Sequence, residues 1–196
     1  MGKRRTRISV SPSVLILLCI AVLTDRTGIV FLTVLAALLH ECGHLAAAKL
    51  LGIRTERMQL GFLGMRLETG GTVLSYGAEW LLCAAGPLTS LLCAALAAPL
   101  WQTFAAARIF SCASLVLGFL NLLPIRTFDG GRMLESFLNF VCGTRISGRV
   151  MTLCSFLFLF LLWATAVYFL LRVGDGLSLF CFSMSLFLRF FDGERF

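Results

Sequence analysis

Long stretches without one charged residue dominate this sequence. Trp80 to Ala107 is uncharged, as is Val150 to Leu171, and shorter runs cover Ile8 to Thr24, Thr27 to His40, Ile109 to Ile125 and Gly176 to Leu188. About 20 apolar residues in helical form cross the hydrocarbon core of a bilayer. A chain of 196 residues built mostly from such runs has little room for anything else.

Composition agrees. Hydrophobic residues make up 59% of the chain and charged residues 14%, with a mean hydropathy of +0.92. A soluble domain carries roughly 25% charge, and a chain of this length has no soluble core large enough to hide so much apolar surface. The sequence therefore predicts an all-α polytopic membrane protein, one domain over 1–196. Six transmembrane helices are expected at about 8–24, 28–49, 80–100, 109–125, 150–171 and 176–189. The first is read as a retained span: Asp25-Arg26 follows it where a cleaved leader would carry small residues. Residues 53–76 differ. Met58, Leu60 and Phe62 alternate with Arg57, Gln59 and Gly61, and glycines punctuate the run, so a β-hairpin-like segment is expected between helices two and three.

The net charge is +7. With six spans, fourteen of the seventeen Lys and Arg residues fall on the side holding both termini and three on the other. The positive-inside rule then makes both termini cytoplasmic and leaves no call for nucleic acid. The eight cysteines form no C-x-x-C pair and read as small apolar residues.

The chain has two histidines, in the run His40-Glu41-Cys42-Gly43-His44. Four residues advance a helix by about 400°, so the two rings stand about 40° and 6 Å apart and can share one ion. Glu41 points about 100° away, where it can take a proton from water; Cys42 faces away from both rings. This is the H-E-x-x-H zinc motif, set in an apolar span where ionisable side chains are costly and usually functional. A catalytic zinc takes a third protein ligand. No histidine remains, so an acid must serve. Asp129, after Pro124 and before Gly130-Gly131, is the leading candidate, the rival reading being a helix cap or surface turn; Glu135 is next.

His40-Glu41-Cys42-Gly43-His44, Gly86-Pro87 and Asn121-Leu122-Leu123-Pro124-Ile125-Arg126-Thr127-Phe128-Asp129-Gly130 together resemble the site-2 protease family of intramembrane zinc metalloproteases. The likeness covers about residues 10–190. It implies Zn²⁺ on His40, His44 and Asp129, Glu41 as general base, and Asn121 as an oxyanion donor or substrate anchor, against a plain helix-to-helix hydrogen bond. It also implies that Gly86 and Pro87 line the site, against a tolerated kink. The compact layout is most similar to the stage IV sporulation protein FB branch, without that branch's C-terminal CBS domain. Arg126-Thr127-Phe128 replaces the Pro-Leu usual before the aspartate.

The expected activity is endoproteolysis of a membrane-associated protein, such as a sigma-factor precursor or anti-sigma factor. Leu60 is a candidate substrate contact through strand addition. The expected partners are that substrate, the lipid bilayer and a regulatory membrane protein. The expected location is a multi-pass position in a bacterial cell or forespore membrane. The competing readings are a catalytically inert binding relative and a metal-ion transporter.

Overall fold

A computed structural model describes residues 7–10, 20–21, 23–53, 55–61, 64–69, 74–174 and 176–193. The chain forms two compact units, Met1–Leu122 and Leu123–Phe196. In the first, strand β1 is Arg7–Val10, helix α1 Ile29–Leu50, strands β2 and β3 Thr55–Gly61 and Gly64–Thr69, helix α2 Tyr76–Ala97, and helix α3 Ala105–Asn121. A short 3-10 turn, Ala98–Leu100, links the last two helices. The second unit holds helices α4 (Asp129–Cys142), α5 (Thr144–Val173) and α6 (Leu177–Gly193).

Local chemistry fixes the ends of α1. Asp25 accepts hydrogen bonds from the Thr27 hydroxyl at 2.6 Å, the Thr27 amide at 2.9 Å and the Val30 amide at 2.7 Å. The Thr27 hydroxyl above all, with these amides, holds the Asp25 carboxyl below its ordinary pKa. At the other end Gly52 adopts φ +66°. Its amide donates to the Lys49 carbonyl and the Ile53 amide to that of Ala48, a Schellman closure that needs the left-handed conformation glycine supplies. Helix α2 starts on Ser75, whose hydroxyl accepts from the Ala78 amide at 3.3 Å.

Helices α1, α2 and α3 pack through small residues. A Cβ at Gly43 of α1 would lie 2.7 Å from the Ala85 carbonyl oxygen of α2 and collide with the Thr89 hydroxyl. A Cβ at Gly118 of α3 would sit 3.2 Å from Ser90, and the Ser111 hydroxyl of α3 donates to the Ala94 carbonyl at 2.8 Å. Lipid gives apolar side chains no reason to leave it, so close backbone approach and interhelical hydrogen bonds have to hold such helices together. Outward-facing Leu88, Leu92, Leu96, Val116 and Phe119 are exposed, as lipid contact requires.

Strand β2 lies between the other two. It pairs in parallel with β1, Leu60 opposite Val10, and antiparallel with β3, Leu60 opposite Met65. Leu60 therefore belongs to the central strand, and among the described residues the outer strands of the sheet are β1 and β3.

Among the described residues, three helical segments are long and apolar enough to cross a membrane: Ile29–Leu50, Tyr76–Leu100 and Thr144–Arg172. Ala105–Asn121 and Leu177–Phe191 are apolar but shorter. Several expected boundaries change. The span expected at 8–24 lies mostly outside the described residues, and its opening is strand β1. The span expected at 109–125 is α3, which begins at Ala105 and stops at Asn121, because Pro124 disfavours helical backbone just before it. Helix α5 starts six residues before the expected 150, taking in Arg145 and Arg149. Helix α4 was not expected: Arg132 and Glu135 interrupt its apolar pattern, so a search for charge-free runs passes over it.

The second unit turns on a tight loop before α4. The Ile125 amide donates to the Leu123 carbonyl and the Phe128 amide to that of Ile125, both at 2.8 Å. A Cβ at Gly131 would strike the Ile125 carbonyl and come within 2.8 Å of the Arg126 nitrogen. Ser155 of α5 accepts from the Arg126 amide at 3.0 Å, and the Ser147 hydroxyl donates to the Glu135 carbonyl at 3.3 Å. Ser147, Met151, Ser155 and Leu159 recur every fourth residue and are buried, the inward stripe of α5.

The α1–α2 crossing gives a direct test. Gly43→Ala puts a methyl against backbone, which a side-chain shift cannot relieve. Overpacking of this kind costs about 1–3 kcal/mol, so the melting temperature in detergent should fall by roughly 2–12 °C. A Gly43→Ala protein as stable as wild type would contradict the close crossing.

Candidate metal centre

Helices α1 and α2 run antiparallel, and the spacing of residues on one matches that on the other. His40 and His44 are four apart on α1. Leu82, Gly86 and Ser90 are four and eight apart on α2. His40 Nδ1 lies 2.9 Å from the Ser90 hydroxyl oxygen, and His44 Nδ1 lies 2.8 Å from the Leu82 carbonyl oxygen. Both rings are buried, His40 to 4% exposure and His44 to 8%.

These outer contacts turn the inner nitrogens toward one another. The two Nε2 atoms are 3.3 Å apart. The rings meet edge-on, with centroids 5.0 Å apart and planes at 79°. A carbonyl only accepts, so the Leu82 carbonyl places a proton on His44 Nδ1 and leaves a lone pair on its Nε2. Metal-bound histidines almost always donate their second ring N–H to such an acceptor.

The spacing fits zinc. Two nitrogens each about 2.0–2.1 Å from a tetrahedral ion stand about 3.3–3.4 Å apart, the separation found here. Gly86 faces the same point. A Cβ there would collide with His44 Nε2 and approach within 2.7 Å of His40 Nε2. Only glycine keeps clear the space that the two Nε2 atoms face. Pro87, next to it, is fully buried inside α2.

The other expected site residues can be placed in turn. Glu41 is half-buried on α1, and its Oε2 has no solvent contact. Cys42 is exposed. Asn121 is the last residue of α3, and its amide donates to the Leu117 carbonyl of the same helix at 3.0 Å. That bond is neither of the two uses expected for it. Asp129 opens α4, half-buried, in the helix's first turn. Glu135, the alternative acid, pairs with Arg126 at 3.0 Å. Leu60 lies on β2, in the first unit's sheet.

Sequence reasoning missed Ser90 and the Leu82 carbonyl. One signal was there to be read: Gly86-x-x-x-Ser90 repeats the four-residue step of the histidines. Which helix packs against His40 is a tertiary fact, and the step alone does not reveal it.

The whole chain also has a counterpart among solved structures. The site-2 protease from Methanocaldococcus jannaschii superimposes with a TM-score of 0.63 at 20% identity, covering 96% of this chain and 90% of that one. The fold is that of a site-2 protease. Residues 94–165 match the model of peptidase family M50. The chain is also 35% identical over 115 residues to Rip3 of Mycobacterium tuberculosis, described as a zinc metalloprotease, in two strains. That match takes in 53% of this chain and 29% of Rip3, so the chain spans under a third of that relative's length. Together the three findings support the M50 site-2 protease family.

Gly86 supplies the test. Alanine is normally the better residue inside a helix, by roughly 0.5–1 kcal/mol over glycine. At Gly86 that gain is outweighed by the collision of the new methyl with the buried histidine rings, an overpacking cost of about 1–3 kcal/mol, so Gly86→Ala should fold with a somewhat lower melting temperature while zinc content falls well below one ion per purified chain. Full zinc occupancy in Gly86→Ala would contradict the geometry.

Proposed function

We propose that the protein is an intramembrane zinc endopeptidase that cleaves a membrane-associated protein. The observation that carries this reading is the buried His40–His44 pair, with both Nδ1 atoms engaged by α2 and both Nε2 atoms aimed at one point that Gly86 keeps clear. The site-2 protease fold and the likeness to a described zinc metalloprotease support it.

In this reading His40, His44 and Asp129 hold Zn²⁺. Asp129 is assigned from the Asn121-to-Gly130 motif and from its carboxylate chemistry. Bound zinc supplies Lewis acidity, lowering the pKa of a water towards about 7 and polarising the scissile carbonyl. Glu41, one residue beyond His40 and turned about 100° from it, takes the water proton. It later delivers that proton to the leaving amine nitrogen. The Glu41 Oε2 is shielded from solvent, which limits loss of the proton to bulk water.

A substrate helix must unwind before attack, and unwound backbone in lipid needs hydrogen-bond partners. Strand addition to the sheet would provide them. Because β2 is flanked on both sides, the substrate would join an outer edge, and Leu60 would act by supporting that edge. Asn121 has a second amide hydrogen and a carbonyl oxygen to offer beyond its bond to Leu117, which suits anchoring of substrate backbone. The reading also takes the termini as cytoplasmic, from the distribution of Lys and Arg. A sigma-factor precursor or an anti-sigma factor as substrate, and kinship with the sporulation branch, rest on the sequence motifs and compact layout.

The experiment is cleavage of a fluorogenic transmembrane peptide by wild-type protein in lipid vesicles. Removing a general base typically costs 10²–10⁴ in rate. Glu41→Gln should therefore lose cleavage by at least about a hundredfold while retaining zinc. Cleavage by Glu41→Gln at the wild-type rate would overturn the mechanism. Zinc-loaded wild type that cleaves no such peptide, nor any protein of the native membrane, would favour an inert binding relative.

A further inference from the structure

In the second unit the start of α5 meets the end of α6, and the two helices leave an open groove of about 530 Å³ between them. Arg149, Thr152, Leu153 and Phe156 line it from α5, and Phe190 and Phe191 from α6. Gly148 also borders it, and a Cβ there would meet nothing within 4 Å. The floor is aromatic. Phe156 lies 6.3 Å from Phe190 and 6.4 Å from Phe187 between ring centroids, and Phe190 lies 5.6 Å from Phe191.

The lining is graded along α5. Arg149, Thr152, Leu153 and Phe156 share one face at helical spacing, so the groove passes from a cation through a hydroxyl to apolar surface. Seven residues separate Arg149 from Phe156, about 10 Å along the axis. Arg145 stands one turn further out and is exposed, as is Arg149. Helix α5 carries no acid, and the acid paired with arginine among the described residues is Glu135, with Arg126. On α6, Arg189 and Asp192 cancel in net charge. The surplus at this end is therefore the arginine pair of α5. By the distribution of Lys and Arg this is the cytoplasmic end.

A phospholipid has the same grading in the same direction: an anionic phosphate at the surface, then ester oxygens, then hydrocarbon. A guanidinium offers phosphate a planar fork of N–H donors, and basic pockets between membrane helices on the cytoplasmic side suit anionic headgroups. Leu153 is 69% exposed and Phe156 44%, which leaves apolar surface for an acyl chain beneath the charge. We propose that the α5–α6 groove is a binding site for one anionic phospholipid, its phosphate on Arg149 and an acyl chain laid over Leu153 and Phe156. The site belongs to the second unit alone and stands apart from the proposed zinc chemistry.

The test is native mass spectrometry of full-length protein in a neutral detergent, titrated with phosphatidylglycerol or phosphatidylcholine. The second lipid has the same phosphate but offsets it with a choline cation. Wild type should hold one phosphatidylglycerol about fivefold more tightly than phosphatidylcholine, the worth of one cation near an anionic surface. Arg149→Gln should lose that preference. Arg172→Gln removes the same charge from an exposed position at the other end of α5 and should keep it. Gly148→Leu retains both arginines, suits a helix better than glycine and fills the mouth of the groove, so it should weaken the lipid as well.

Equal retention of the two lipids by wild type would overturn the proposal, as would equal losses in Arg149→Gln and Arg172→Gln. Unchanged retention in Gly148→Leu would put the lipid elsewhere. Displacement of the lipid by inorganic phosphate at millimolar concentration would make this a free-phosphate site instead. Dimers in wild type that become monomers in Gly148→Leu would assign the groove to a second copy of the chain. None of these readings depends on zinc or on cleavage, so the lipid site and the peptidase reading stand or fall separately.

Discussion

A buried imidazole has to find partners for two nitrogens, and much of the first unit follows from meeting that demand twice. His40 and His44 sit in an apolar helix, where an unsatisfied polar atom costs about 1–3 kcal/mol. Helix α2 answers with one face: the Leu82 carbonyl, the Gly86 gap and the Ser90 hydroxyl, each four residues from the next. Two antiparallel helices match such steps only in one register. The hydrogen bonds therefore orient the rings and fix the helices together.

Close approach makes this possible. Hydroxyl-to-imidazole contact across a helix pair requires the backbones to come nearer than large side chains allow. Gly43 provides this on α1, Ala85 and Gly86 on α2, and Gly118 where α3 meets Ser90. The small residues that hold a membrane bundle together thus also bring the second helix within reach of the metal ligands. Packing and chemistry share residues here, so a variant such as Gly43→Ala will register in both.

Much of this was legible in the sequence. His40-Glu41-Cys42-Gly43-His44 lies in a run that had to be helical, and a four-residue step on a helix puts both rings on one side whatever surrounds them. The alternating pattern around Met58 to Leu67 falls on β2 and β3 for an equally local reason. Other features were hidden, because they are set by neighbours in space. Ser90 looks like any serine in a membrane helix until His40 is known to face it. Ile8 to Val10 reads as the start of a span, yet lies in β1, which pairs with β2. Helix α4 mixes Arg132 and Glu135 into an apolar pattern, and its first turn is set by Gly131 packing on the Ile125 carbonyl. Asn121 shows the same limit: its position at the end of α3 explains the bond to Leu117, which its motif does not.

The account rests on one claim, that the α1 histidines share a zinc ion with an oxygen ligand. X-ray absorption at the zinc edge of the purified protein tests it most directly. The expected spectrum has nitrogen and oxygen neighbours at about 2.0–2.1 Å, with the outer scattering of two imidazole rings. A shell of sulfur at about 2.3 Å would put the metal on cysteines instead. Absence of zinc, even after reconstitution, would contradict the claim altogether.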